Sequence, residues 1–144
     1  MNTTHRLFVY GSLRSGFKSP AYEYLARFFS PLGDAFVQGR FYFDGNVPVA
    51  CPTNSENYIP GELYELENTE EFDWVIGQLD DYEGLNVMPG EKPRYRRDRA
   101  MVNYQGTWLE AWVYWFNAPV TGMPEIDAAD ILKYLLNKNG GKSE

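Results

Sequence analysis

The stretch RLFVYGSLRSGFKSP occupies residues 6–20. A short apolar run, Leu7-Phe8-Val9-Tyr10, meets Gly11-Ser12-Leu13, and a second glycine follows at Gly16. Strand, glycine turn and candidate helix is the order in which many phosphate-binding loops begin. A nucleotide P-loop needs G-x-x-x-x-G-K-[ST]. Here Gly11–Gly16 supplies the first six positions, but Phe17 stands before Lys18 and Ser19. The lysine of such a loop reaches the terminal phosphates while the hydroxyl holds the metal, and a shift of one residue displaces both. No later strand ends in an aspartate suited to holding that metal. Two readings remain. One is a tight turn that binds nothing, the commoner fate of a glycine turn. The other keeps the backbone chemistry without the phosphate. Glycine has no side chain to hold a ligand away, so consecutive N–H groups can converge on a carboxylate or a developing oxyanion.

Outward from this loop, residues 20–30 read as a short helix, with Ser19 as cap and Pro20 in the first turn. Segments near 33–43 and 59–65 read as strands, with Gly39 marking a bulge or bend in the first. Residues 69–83 carry the clearest helical pattern: Phe72, Val75, Ile76, Leu79 and Tyr82 share one face. Asn68 and Glu71 form a candidate capping box, and Gly84 is placed to end the helix. Strands follow at Tyr95–Tyr104 and Trp108–Phe116, and a last helix is expected over about 124–138. Strand-rich stretches on both sides of a central helix do not alternate as a doubly wound fold does. The expected architecture is a single α+β domain spanning residues 1–144, with a curved mixed sheet or small barrel.

Composition narrows the function. The chain has 144 residues, enough for a hydrophobic core without metals or disulfides. Aromatic residues make up 17%, which argues for a folded domain. A net charge of −7 disfavours nucleic acid and anionic membrane as partners. No segment approaches the ~18 apolar residues of a membrane span. Cys51 is the single cysteine, which suits a reducing cytoplasm, and the opening MNTTHRLFVY lacks a secretory pattern. His5 is the single histidine and reads as a solvated residue before the first strand. A histidine-based zinc site or a histidine-activated nucleophile would have to rest on it, so neither is expected, and no metal or cofactor is invoked.

Gln78-Leu79-Asp80-Asp81-Tyr82-Glu83-Gly84 places three carboxylates at the C-terminal end of the predicted helix. Like charges, the negative pole of the helix dipole and partial burial all push a carboxylate toward its neutral form. The bland reading is an acidic, solvated helix end, and it is preferred for Asp80 and Asp81. Glu83 directly precedes the terminating glycine, where a side chain can point into a cleft. It is the candidate for a general base or acid working near neutrality.

These segments together resemble the γ-glutamylcyclotransferase-like (AIG2-like) family. Tyr10-Gly11-Ser12-Leu13 resembles its YGSL motif, and Leu79-Asp80-Asp81-Tyr82-Glu83-Gly84 its L-D-x-x-E segment. Tyr95-Arg96-Arg97 matches its Tyr-x-Arg strand opening, and Trp112-Val113-Tyr114 a later strand ending in tyrosine. Gly39-Arg40-Phe41-Tyr42 and Val47-Pro48-Val49-Ala50 fit the pattern between them. The resemblance covers residues 6–116; it rests on order and spacing, since no single motif is specific.

The resemblance implies a mixed β-barrel-like fold with flanking helices and a cavity. It also implies a reaction in which the α-amine of a γ-glutamyl amine or peptide attacks its own γ-carbonyl, releasing 5-oxoproline and a free amine without a cofactor. Glu83 would carry both proton transfers, and the backbone at Gly11, Ser12 and Leu13 would hold an oxyanion or the substrate carboxylate. Tyr10, Tyr95 and Tyr114 would line the cavity around this small-molecule substrate. Aromatics on strands are more often core, so packing alone is the competing reading for these three. Arg94-Tyr95-Arg96-Arg97-Asp98-Arg99 reads as a strand start with arginines in solvent or paired with acids, and Cys51 as a packed, inert thiol. Two further functions stay open: a non-catalytic small-molecule binder on the same fold, and an isopeptide-type hydrolase whose products include free glutamate. The leaving amine and the oligomeric state are not encoded in any motif.

Overall fold

A computed structural model describes residues 4–10, 20–45, 48–85 and 87–126. Among the described residues seven strands and two helices follow in order: β1 (Arg6–Val9), α1 (Pro20–Phe28), β2 (Phe29–Phe43), β3 (Pro48–Pro52), β4 (Tyr58–Leu66), α2 (Phe72–Tyr82), β5 (Tyr95–Tyr104), β6 (Thr107–Phe116) and β7 (Glu125–Ile126). A 3-10 turn, Thr69–Glu71, leads into α2. Five strands close on themselves in the order β2-β4-β1-β6-β5, with β5 returning to β2. The β1–β6 contact is parallel and the others are antiparallel, so the barrel is mixed. Closure rests on two residue pairs, Phe36 with Asn103 and Val37 with Val102.

The alternation of side chains splits the core in two. On β1, Phe8 points into the barrel, whereas Leu7 and Val9 face the helices. On β6, Ala111, Val113 and Trp115 point inward and Tyr114 faces the helices. Period two thus builds one core inside the barrel and a second between barrel and helices. From α2 the second core takes Phe72, Val75, Ile76 and Leu79, the face that its spacing predicts. Tyr82 departs from that face: it is exposed and lies 5.8 Å from the Tyr24 ring of α1.

The expected strands are all present, with corrections at the edges. β2 begins at Phe29 and runs for 15 residues, bulging between Pro31 and Gly33 and not at Gly39. Gly39 marks instead the point where β2 exchanges partners, from β4 to β3. β3 has no counterpart among the expected strands. The start of the last expected helix is also corrected: Glu125–Ile126 is the strand β7, paired with Tyr42 and Phe41 of β2. Beyond Gln38, β4 no longer covers β2, and β7 supplies partners for that exposed ladder. The remainder of that helix, the cap Ser19 and the loop residues 11–19 lie outside the described residues.

Asn68 caps the 3-10 turn that leads into α2, its Oδ1 accepting from Glu70 N at 3.1 Å and not from Glu71 N, while Glu71, at the N-cap of α2 itself, makes no side-chain cap bond. His5 is half-buried, its ring 5.0 Å from Phe72, and is not the solvated residue expected. Among the described residues no helix is long and apolar enough to cross a membrane.

Candidate active site

Four elements converge at one end of the barrel. β1 and β6 run parallel and finish there with Tyr10 and Tyr114; β5, antiparallel to β6, starts there with Tyr95 and Arg97. The C-terminal end of α2 brings Asp80 and Glu83 to the same place. That end is closed by two bonds: Leu85 N donates to Asp80 O at 3.0 Å and Gly84 N to Asp81 O at 3.1 Å. Gly84 has φ +77°, a left-handed conformation that glycine adopts without strain. Glu83 is the last residue before that reversal, and its own N–H donates to Leu79 O at 3.0 Å.

Glu83 is half-buried. Burial, with a smaller push from the Asp80 charge, raises its carboxyl from 4.5 to about 7. Three tyrosine hydroxyls register the Glu83 charge. Tyr10 is raised by burial first and then by Tyr95, Glu83 and Cys51. Tyr95 is raised by burial, against the opposing effect of Arg94, with Glu83 and Asp44 adding to the rise. Tyr114 is raised by burial and by Asp80, with Glu83 again contributing. The Glu83 charge is therefore felt by three phenols at the barrel mouth.

Asp80 is not the solvated acid expected. Arg97 grips it with two bonds, Nε to Oδ1 at 2.8 Å and Nη2 to Oδ2 at 3.0 Å. The Tyr114 hydroxyl donates to the same Oδ1 at 2.8 Å. The Tyr10 hydroxyl in turn donates to the Tyr114 carbonyl, which joins the end of β1 to β6. At the rim, Arg94 pairs with Asp44, and its guanidinium lies 5.4 Å from the Phe116 ring centre. Asp81 is exposed.

The structure thus brings together Tyr10, Glu83, Tyr95 and Tyr114, four of the seven residues singled out from the sequence. Gly11, Ser12 and Leu13 lie outside the described residues. Sequence reasoning missed Asp80 as a buried partner and gave Arg97 no role in the site. Both stood inside quoted motifs, but a helix acid and a strand arginine 17 positions apart give no pairing signal before the fold is known. Of the other arginines in that run, Arg94 and Arg96 are paired with acids, as one of the two expectations had it. Cys51 is half-buried, and burial raises its thiol despite Arg96, so it stays protonated and unreactive at neutral pH. Among the described residues no group of three His, Cys, Asp or Glu side chains is placed to hold a metal ion.

A closed mixed barrel with two helices packed on it and a half-buried glutamate near its mouth defines a class of small α+β barrels, and comparison with known proteins gives that class a family. Residues 7–133 match the family described as gamma-glutamyl cyclotransferase, AIG2-like, and the chain belongs to it. The gamma-glutamylcyclotransferase family protein YtfP of Escherichia coli K12 is 30% identical over 128 residues, 88% of this chain and 96% of YtfP. Two solved structures share the fold. YkqA from Bacillus subtilis superposes with a TM-score of 0.62 at 23% identity over 99% of this chain, which spans 44% of YkqA. An AIG2-like protein from Mus musculus superposes with a TM-score of 0.59 at 20% identity over 88% of each chain.

Proposed function

We propose that the chain is a γ-glutamylcyclotransferase-type enzyme that releases 5-oxoproline and a free amine from a γ-glutamyl amine or γ-glutamyl peptide, with Glu83 as its proton shuttle. The observation that carries this reading is the Glu83 carboxyl, held at about 7 in a mouth lined by Tyr10, Tyr95 and Tyr114. A base must accept a proton from the substrate ammonium and then return it to the leaving amine. A carboxyl with a pKa near the working pH does both.

In the proposed sequence, the ionised Glu83 takes a proton from the α-ammonium. The freed amine attacks the γ-carbonyl carbon, a C–N bond forms, and the carbonyl oxygen becomes an oxyanion. Backbone N–H groups of Gly11, Ser12 and Leu13 are assigned to that oxyanion or to the substrate carboxylate. Collapse breaks the original amide C–N bond as Glu83 returns the first proton to the departing nitrogen and then takes up the second proton of the ring nitrogen, leaving the neutral lactam N–H and a free amine. Water is neither consumed nor formed, and the scheme uses no cofactor. Ring closure is intramolecular, so holding the folded substrate conformer supplies much of the rate. Tyr95 and Tyr10 are assigned to the cavity wall. Tyr114 donates its proton to Asp80, so its oxygen is left to accept from the substrate ammonium. A cytoplasmic location and a small-molecule substrate complete the reading.

The test is mass-spectrometric detection of 5-oxoproline from a panel of γ-glutamyl amines and dipeptides. Wild type is expected to release it, and Glu83→Gln to lose about 100-fold or more of the rate. With the best substrate, kcat/KM should rise with pH through about 7 as Glu83 ionises. Free glutamate as the product would support a hydrolase instead, and binding without turnover a non-catalytic binder.

A further inference from the structure

We infer that Asp80, Arg97 and Tyr114 form a positioning network that fixes the Glu83 carboxyl over the barrel mouth and sets the pH at which it exchanges its proton. The inference rests on the reading of Glu83 as the acid–base group and adds residues that act through it.

The geometry is more than a helix end tied to a sheet. Asp80 and Glu83 are three residues apart in α2 and its cap, so they share a helix face. The Asp80 side chain is gripped from two strands at once, by Arg97 of β5 and Tyr114 of β6. Its main-chain carbonyl is held as well, by Leu85 N in the terminating turn. The Asp80 and Arg97 side chains keep only 15% and 19% of their exposure, so this pair is not a solvent-screened surface bridge. Arg97 is itself fixed, its guanidinium 4.5 Å from the Trp112 ring centre, while Trp112 Nε1 donates to Thr4 O at 2.9 Å. Every atom that places Asp80 also places the turn that carries Glu83.

Burial and the Asp80 charge on α2 act on Glu83, and the Glu83 charge is felt in turn by Tyr10 after β1, Tyr95 on β5 and Tyr114 on β6. Arg94 and Asp44 act on Tyr95. The tyrosines are neutral near pH 7, so Asp80 is the charge that bears most closely on Glu83. Arg97, paired with Asp80 through two bonds, partly offsets its field. Asp80 thus holds the proton on Glu83, and Arg97 limits that hold.

Asp80→Asn and Arg97→Met break the same ion pair, yet the network predicts opposite effects. The experiment follows the Glu83 side-chain carboxyl by ¹³C NMR titration in the full chain, alongside kcat and KM for 5-oxoproline release. Asp80→Asn, which is isosteric and keeps an oxygen for Tyr114, should lower the Glu83 midpoint by about one pH unit. Arg97→Met should raise it by about one unit. Arg97→Lys keeps the charge but not the two-pronged grip, and should lower kcat about tenfold with KM little changed. Midpoints that stay at the wild-type value, or move the same way in both ion-pair variants, would overturn the inference. If Arg97→Met does not fold, Arg97→Lys with wild-type kcat and midpoint would overturn it. If wild type yields no 5-oxoproline, the functional reading falls, and the midpoints alone still decide the network.

Discussion

At the scale of single residues, the site turns on one carboxyl kept partly out of water. Its cost to the fold has a definite sign. The folded pKa of Glu83, about 7, lies above its ordinary 4.5, so between these values the native chain binds more protons than the unfolded one. Stability contributed by this group is therefore full below about pH 4.5 and is lost as pH rises to about 7. At ~1.4 kcal/mol per unit, the loss is at most about 3 kcal/mol. Glu83→Gln removes the charge and keeps the shape. Urea unfolding at pH 8 should find the variant more stable by about 2–3 kcal/mol, and at pH 4.5 the two chains should nearly coincide. In the proposed role, a carboxyl that destabilises its own fold is what a trade of stability for activity looks like. The place of Glu83 at the end of α2 was legible in the sequence because a helix stop and an acid stand side by side. Asp80 was not, because its meaning depends on Arg97, and only the register of β5 against the end of α2 brings the two together.

At the scale of elements, two glycines do different work and should respond differently to the same substitution. Gly84 has φ +77°, and a Cβ there would meet nothing within 4 Å. Gly84→Ala should therefore cost only the backbone term, about 1–2 kcal/mol. Gly61 lies where β4 crosses the end of β1, and a Cβ there would sit 2.2 Å from Val9 O and 2.6 Å from the Phe8 ring. Gly61→Ala must push β1 off β4 and should cost about 3 kcal/mol or more. Chemical denaturation of the two variants checks the order; an equal loss in both would contradict the packing described here. The strands that the sequence made legible are those with long β-rich runs. β3 escaped notice because Pro48 and Pro52 bound a short segment whose partner is the far half of β2. β7 escaped because Ile126 also fits the apolar stripe of a helix, and pairing with Phe41 is not visible in local spacing.

At the scale of the whole molecule, barrel closure is the part of the fold least visible in the sequence. It joins Val37 to Val102 across nearly half of the chain through two residue pairs, and no local pattern encodes such a contact. A curved mixed sheet or small barrel was nevertheless expected from the order of strand-rich and helical stretches, and the family likeness pointed the same way. Amide exchange should reflect the arrangement. β4, enclosed between β2 and β1 with Ile59 and Leu63 fully buried, should exchange slowest, and the short strands β3 and β7 fastest. Closure also brings β1, β5 and β6 to a common end, where α2 delivers Glu83. The most direct measurement of that outcome is a ¹³C titration of the Glu83 carboxyl in the wild-type chain, folded and in urea. It needs no knowledge of the substrate. A folded midpoint of about 7 against about 4.5 in urea would establish the acid–base centre on which the proposed chemistry depends. A folded midpoint near 4.5 would contradict it, leaving Glu83 an ordinary solvated acid.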